Sequence, residues 1–135
     1  MAKTLQQKVV SALSKADLTL SCAESCTGGL IAKRITDVSG ASAVFHGGVV
    51  SYVNAVKQNV LGVSARDLEQ YGAVSAPVGR QMASGAARLL GTDLAVSTTG
   101  VAGPNPDDRG NAVGTVYVSL SAQGKTWCYL CHFDG

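Results

Sequence analysis

The sequence contains no apolar run that approaches the roughly 20 residues needed to cross a bilayer, which argues against a membrane-spanning helix. Its N-terminus has amphipathic spacing and not the continuous apolar stretch of a signal peptide, so we expect a cytoplasmic protein. Basic residues are scattered, and 11 Lys and Arg against 9 Asp and Glu leave a net charge of only +2. Binding to nucleic acid or to a membrane is therefore not expected, and recognition of a small molecule fits better.

Strong motifs for phosphate loops and metals are also missing. No G-x-x-x-x-G-K-[ST] pattern occurs, which argues against a phosphate-loop transferase. The four cysteines form a C-x3-C pair, Cys22 with Cys26, and a C-x-x-C pair, Cys128 with Cys131. The second pair lies in a run that alternates like a strand, which sends its thiols to opposite faces and suits a shared metal poorly. We expect no metal and no cofactor, and interpret most of these thiols as small buried hydrophobic groups.

The 135 residues are 46% hydrophobic and 15% charged, which is enough for one core and predicts a single domain over residues 1–135. Strand and helix patterns alternate along the chain and end in a hairpin around Gln123-Gly124. This order predicts an α/β fold, a three-layer α/β/α sandwich with a mixed sheet. The predicted strands cover residues 18–22, 43–52, 94–97, 116–121 and 126–133. The predicted helices run from Leu5 to about Lys15, from Leu30 to about Ser39, from caps at Asn54 and Ser64, and from Ser75 to Gly91.

The turn Ala23-Glu24-Ser25-Cys26-Thr27-Gly28-Gly29 follows an apolar run and precedes an amphipathic one, so it predicts a strand, a turn and a helix. Such a turn presents its side chains beside free backbone N–H groups at the positive end of the helix. Ser25 is therefore a candidate nucleophile, although Ser25 or Thr27 could equally serve as a helix cap. A second glycine-rich loop, 98–104, also follows a strand, so the two loops can face a common crevice at the carboxyl edge of the sheet.

Six motifs in this order resemble the CinA C-terminal domain family in its stand-alone form, over nearly the whole chain. The resemblance implies a CinA C-terminal-like fold and the activity of a nicotinamide mononucleotide deamidase. This cofactor-free amidohydrolase converts the linear carboxamide of nicotinamide mononucleotide to nicotinic acid mononucleotide and ammonia, in pyridine nucleotide recycling. The motifs are residues 23–29, Tyr52 with Asn54 and Lys57, residues 72–75, Met82-Ala83, residues 99–104 and residues 113–116.

The resemblance implies that Ser25 attacks the carboxamide carbon and that Thr27 and Gly28 hold the oxyanion. Lys57 then serves as base and later as acid, which requires its pKa to be brought down toward neutrality. Tyr52 is expected to orient Lys57 or line the site, and packing is its alternative interpretation.

Other residues are assigned to the substrate or to competing roles. Thr99 is expected to relay a proton or bind substrate, with loop hydrogen bonding as the alternative. Glu24 and Gly29, with Thr27 and Gly28, are expected to bind the substrate, and Glu24 is also kept as a partner of the lysine. The backbone of Gly100, Ala102 and Gly103 can approach a phosphate or ribose.

Cys26 is the competing nucleophile, because a thiol at a helix start has a lowered pKa. His46 and His132 are interpreted as structural, Met82 as core and Arg34 as helix surface.

Two departures from the family pattern leave the proposed nucleophile and base untouched, and a third, at the end of the chain, supports a rival hypothesis, a non-catalytic member that binds a nucleotide or a protein. Ala76 replaces the usual acidic residue, and the loop 105–109 lacks the usual glycine pair. The chain also ends at Gly135, before the family's basic residue and final helix. We expect the sheet surface exposed in this way to favour a homo-oligomer.

Overall fold

The computed structural model describes residues 2–134 and places five strands in one mixed sheet. Within these residues, no helix is both long and apolar enough to span a bilayer. The helices are α1 (Leu5–Ala16), α2 (Leu30–Thr36), α3 (Asn54–Asn59), α4 (Ala65–Tyr71) and α5 (Ala76–Leu90), with a 3-10 turn at Ala41–Ala43. The strands are β1 (Leu20–Glu24), β2 (Phe45–Val50), β3 (Leu94–Gly100), β4 (Thr115–Ala122) and β5 (Lys125–His132).

The strand order is β2-β1-β3-β4-β5, with β1, β2 and β3 parallel and the last two pairings antiparallel. The chain leaves β1 for β2 on one side of it and then returns to β3 on the other side. This reversal opens a crevice beyond the carboxyl ends of β1 and β3, where ligands bind in open α/β sheets. The N–H of Ser25 donates to the carbonyl of Thr98 at 3.0 Å and ties these two ends together.

Each face of the sheet has its own apolar core. On one face Met82 and Val78 of α5 pack against Ala23 and Ala95 of the central strands. On the other face Val10 of α1 belongs to a cluster with residues of α2, β1 and the segment before β2. The predicted α/β sandwich with a mixed sheet is confirmed.

Local signals in the sequence correctly predicted several boundaries. Thr4 and Gln7 form the expected capping box at the start of α1, and Ser64 Oγ accepts from the N–H of Asp67 at the start of α4. Gly91 ends α5 in the left-handed conformation, with φ +64°. The hairpin turn Gln123-Gly124 has φ values of +54° and +74°, as a two-residue type I′ turn requires.

Other boundaries differ from the prediction. β3 continues past Ser97 to Gly100 because its last residues pair with β4, from Val116 to Val118. β2 is shorter than predicted, and α2 ends at Thr36.

One predicted cap was wrong, and another lacks its side-chain hydrogen bond. Val53, with no side-chain bond, holds the cap position of α3, so Asn54 is the first helical residue. Ser75 occupies the predicted N-cap position of α5, with Pro77 in the first turn, but its hydroxyl donates to the carbonyl of Gly72 at 2.8 Å and makes no cap bond to the helix.

Close approach of β1 and β2 explains the glycine pair in β2. The register shifts beside Gly47, and a Cβ placed on Gly48 would lie 2.6 Å from the Sγ of Cys22.

Burial and the Glu24 carboxylate raise the pKa of the Cys22 thiol to about 12. The other three cysteines are only half-buried, so the interpretation of most of them as buried was wrong. Within residues 2–134, no three potential metal-binding side chains are grouped as a metal site.

Candidate active site

The centre of the candidate site is a buried pair formed by Lys57 and Ser25. The Nζ of Lys57 donates to the Oγ of Ser25 at 3.2 Å and to the carbonyl of Ser51 at 2.7 Å, and it reaches the carbonyl of Tyr52 at 3.4 Å. Ser25 comes from the turn after β1, and Lys57 comes from the short helix α3 after β2. Because β1 and β2 are parallel neighbours, their carboxyl ends bring these two segments together although 32 residues separate them in sequence.

The environment of Lys57 favours its neutral form. Its side chain is 1% exposed, and burial lowers the pKa of the ammonium group below the usual 10.5, because charge loses its hydration there. A thiolate at Cys26 would act in the opposite direction by a smaller amount. Within the described residues no carboxylate forms an ion pair with Lys57. The amine is therefore a base candidate by both position and electrostatics.

Glu24 has a structural role, which corrects its assignment as a lysine partner and substrate ligand. Its carboxylate is 1% exposed and accepts from the N–H groups of Ile31 and Ala32, at 2.9 and 3.0 Å, and from the hydroxyl of Thr27 at 2.5 Å. Burial alone would raise the pKa of this carboxyl, but these hydrogen bonds outweigh it and the pKa is lowered. Successive residues of a strand point to opposite faces, so Glu24 anchors α2 while Ser25 faces the crevice.

Backbone N–H groups in the turn are only partly available to a ligand. The N–H of Gly28 donates to the carbonyl of Ser25 at 3.2 Å, so it is not free to hold an oxyanion as predicted. The N–H of Thr27 has no acceptor among residues 2–134. Gly28 and Gly29 have φ values of +61° and +110°, which only glycine adopts without strain, and neither lines the cavity beside Ser25.

A cavity of about 350 Å³ lies in front of the Ser25 hydroxyl. Its size is within the range of small-molecule sites. The structure thus brings together residues from the two loops that were predicted to share a crevice. Eight predicted site or competitor residues line it: Ser25, Cys26, Tyr52, Lys57, Thr99, Gly100, Ala102 and Gly103. Glu24 and Thr27, with the two turn glycines, do not.

Tyr52 and Thr99 contribute differently from the prediction. The Tyr52 side chain is 74% exposed, so Tyr52 orients Lys57 through its backbone carbonyl and not through its phenol. The hydroxyl of Thr99 is buried and donates to the carbonyl of Ala73 at 2.7 Å, which is the alternative interpretation of loop hydrogen bonding. Thr99 still lines the cavity, at the end of β3.

Cys26 also lines the cavity, but its thiol is not activated as predicted. Burial raises the pKa of Cys26, and hydrogen bonds that would stabilise the thiolate do not compensate for it. The thiol is therefore mostly protonated at neutral pH, and Lys57 bonds to Ser25 instead.

Sequence reasoning missed three contributors to the site. The carbonyl of Ser51 was missed because any residue type can supply it, so the sequence carries no signal for it. Asp107 and Asn105 reach the cavity from the loop between β3 and β4, and only their position beyond Gly103 could have suggested it. The two histidines lie outside the cavity, with His46 Nδ1 3.3 Å from the carbonyl of Leu90.

These observations define a class, an α/β protein with a buried Ser-Lys pair at the switch point of a mixed sheet. The CinA C-terminal domain family model matches residues 2–135, and the chain belongs to this family. A CinA-like protein of Geotalea daltonii is 49% identical over 133 residues, which cover 98% of this chain and 32% of that protein. The chain therefore spans about a third of the length of such curated relatives.

Solved structures share the fold. A competence-damaged protein (CinA) superfamily protein from Escherichia coli is 32% identical with a TM-score of 0.95, and the match covers 97% of this chain and 76% of that one. The competence/damage inducible protein CihA from Agrobacterium tumefaciens is 37% identical with a TM-score of 0.92, covering 96% and 79%. The resemblance expected from the motifs is thus confirmed at the level of the family.

Proposed function

We propose that this domain is a nicotinamide mononucleotide deamidase, a Ser-Lys amidohydrolase that releases ammonia from the carboxamide and leaves nicotinic acid mononucleotide. The observation that carries the proposal is the 3.2 Å hydrogen bond between the Lys57 amine and the Ser25 hydroxyl inside a cavity of substrate size. Serine is a weak nucleophile until a neighbouring base takes its proton, and this geometry provides that base.

In the first step the neutral Lys57 amine accepts the hydroxyl proton of Ser25 while Oγ forms a bond to the carboxamide carbon. In the neutral amine the carbonyls of Ser51 and Tyr52 accept both N–H groups, so the lone pair is directed toward Ser25 and the hydrogen bond between the two side chains runs from the hydroxyl to Nζ. The N–H groups of Cys26 and Thr27 have no acceptor among the described residues and are candidates in the turn for holding the oxygen that becomes negative; of these two residues, Cys26 lines the cavity.

In the second step the carbon–nitrogen bond breaks, and Lys57 returns the proton to the leaving nitrogen, which departs as ammonia. A water molecule then attacks the acyl-Ser25 ester, again losing a proton to Lys57. The product carboxylate leaves and Ser25 Oγ regains its proton. One lysine thus serves as base and acid in turn, provided that its pKa lies near the working pH.

The test is ammonia release from nicotinamide mononucleotide by the purified protein and by the Ser25→Ala variant. We expect the variant to lose activity by at least about 10³-fold, because the hydroxyl supplies the attacking atom. Cys26→Ala is the matched control, one residue along the same turn, and should keep most of the activity. Full activity in Ser25→Ala, or loss confined to Cys26→Ala, would refute the serine mechanism.

The rival interpretation gives a different result in the same assay. A non-catalytic member would bind nicotinamide mononucleotide, as calorimetry would detect, without forming ammonia. This outcome would contradict the proposed activity while leaving the cavity as a binding site.

A further inference from the structure

The cavity lining carries a negatively charged group as well as the Lys57 amine. Among the described residues that line it, Lys57 and Asp107 carry the groups that bear full charge in the usual pH range. The proposed reaction uses Lys57 as a neutral amine, and burial favours that form. In the reactive state, therefore, Asp107 supplies the only full charge on the described lining, and this charge is negative.

The Asp107 carboxylate is held in place by its own loop. Oδ1 accepts from the N–H groups of Arg109 and Asn111, at 3.1 and 2.7 Å, and Oδ2 accepts from the Asn111 side-chain amide at 2.7 Å. These hydrogen bonds outweigh the effect of burial and lower the pKa of Asp107. A carboxylate has about four acceptor sites, so roughly one remains for a ligand.

The cationic side chain of this loop, Arg109, does not point toward the cavity. The guanidinium group of Arg109 donates to the carbonyls of Glu69 and Gln70 at the end of α4, and Arg109 does not line the cavity. Of these two charged residues, only Asp107 lines the cavity. The exposed ring of Tyr52 lines the same cavity, and aromatic faces attract cations.

We propose that Asp107 is a specificity-determining residue, whose carboxylate makes the cavity prefer an amide on a positively charged, N-substituted pyridinium ring to the same amide on an uncharged ring. The proposal rests on the proposed function, in which the ring nitrogen of the substrate is quaternary. It adds the reason why this chain selects the oxidised, cationic ring. The attraction of one carboxylate for one cation across a small, partly solvated cavity corresponds to about tenfold in affinity.

The experiment measures the dissociation constants of nicotinamide riboside, which is cationic, and of its uncharged 1,4-dihydro form. Both carry the same amide and ribose and neither has a phosphate. Calorimetry is done in a Ser25→Ala background so that neither ligand is consumed. We expect a preference of about tenfold for the cation, which Asp107→Asn reduces to about one. The matched control is Asp108→Asn, since Asp108 is the next, exposed carboxylate and does not line the cavity; it should keep the preference.

The ratio of the two constants separates charge recognition from loop damage. A structural role for Asp107 would weaken both ligands equally in Asp107→Asn, and an unchanged ratio would overturn the proposal. Should that variant bind neither ligand, the salt dependence of the parent protein decides. Its preference should fall as salt rises from about 0.05 to 0.5 M, and a constant preference would overturn the proposal.

Failure here is distinguishable from failure of the proposed activity. A tenfold preference without ammonia release from nicotinamide mononucleotide would refute the amidase and leave the charge selectivity. Ammonia release with a ratio of one would refute the role of Asp107 and leave the amidase.

Discussion

The cavity has two unlike walls. The reaction wall consists of Ser25 and Lys57, and the carbonyl of Ser51 behind it holds the Lys57 amine; all three residues are buried, at the carboxyl ends of β1 and β2. The loop wall is formed by residues of the segment 101–111, and Ala102, Gly103, Asn105 and Asp107 are among those that line the cavity; the segment is mostly exposed and is held by hydrogen bonds within the loop and by Arg109 behind it. The reaction wall is packed against the sheet, whereas the loop wall depends on a few local contacts.

This difference assigns different tasks to the two walls. Groups that exchange protons must be held within hydrogen-bond reach, and the sheet supplies that rigidity. A loop can change its side chains with little effect on the core, so selectivity is expected to lie there. Substitutions in the reaction wall should therefore lower kcat, and those in the loop wall should mainly raise KM.

The largest effect is expected for Lys57→Met, which removes the amine and keeps an unbranched side chain of similar length. We expect kcat for ammonia release to fall by at least about 10³-fold, since Ser25 then has no base. Lys57→Arg is the control for charge alone, because a guanidinium stays protonated and should be equally inactive. Substantial activity in either variant would remove Lys57 from the mechanism.

The pH dependence should come from the reaction wall. Lys57 must be neutral to act as base, so kcat/KM should rise about tenfold per pH unit up to its pKa, which lies below 10.5.

The same burial affects stability, because the unfolded chain keeps this proton up to about pH 10.5, whereas the folded chain releases it at a lower pH. The free energy of unfolding of the parent protein, relative to Lys57→Met, should therefore increase with pH through this window and decrease as pH falls through the lowered pKa. Urea titrations of both proteins at several pH values measure it, and parallel curves would contradict the lowered pKa.

The next largest effect is expected for Glu24, which anchors α2 beside the reaction wall. Glu24→Ala should lower the free energy of unfolding by about 3 kcal/mol, because the N–H groups of Ile31 and Ala32 lose their buried acceptor. Since hydrogen bonding lowers the pKa of Glu24, its contribution is present above the usual value of 4.5 and is lost as pH falls through the lowered pKa. Glu69→Ala, at an exposed position of α4, should change stability by no more than about 0.5 kcal/mol. Chemical denaturation compares the two, and equal effects would mean that Glu24 is not an anchor.

The smallest effect is expected in the loop wall. Arg109→Ala removes the contacts with the carbonyls of Glu69 and Gln70, so the loop should sample more conformations. We expect KM to rise about threefold and kcat to stay within about twofold, since no reacting group moves. Steady-state kinetics measure both constants. A fall in kcat with constant KM would show that the two walls are not separable in this way.

Ser25 was predictable from the local pattern and Lys57 from the family resemblance, and Ala102 and Gly103 at the start of the loop wall were predicted as well, whereas the loop beyond Gly103 was not. The strand–turn–helix pattern around Ser25 depends on local spacing, and parallel strand order follows from alternating helices and strands. The role of Glu24 was misjudged because alternation along β1 turns its carboxylate away from Ser25, an effect that depends on the strand reaching residue 24.

The part of the loop beyond Gly103 gave no comparable signal. Whether Asp107 or Asp108 faces the cavity depends on hydrogen bonds to Asn111 within the loop and on the tertiary contact of Arg109 with α4. The cap at Val53 was missed for a similar reason, since the position of β2 determines where α3 begins. Backbone carbonyls such as that of Ser51 are invisible to residue patterns.

Because Glu24 and Ser25 point in opposite directions, the proposed chemistry depends on the register of β1 in the sheet. A single-residue insertion in β1, with the sheet pairing kept, would turn the carboxylate into the cavity and the hydroxyl toward α2. Lys57 would then meet a permanent counter-ion that keeps its proton, while the serine would be left to cap a helix. The same residues, shifted by one position, would form a stable ion pair in place of a reactive one.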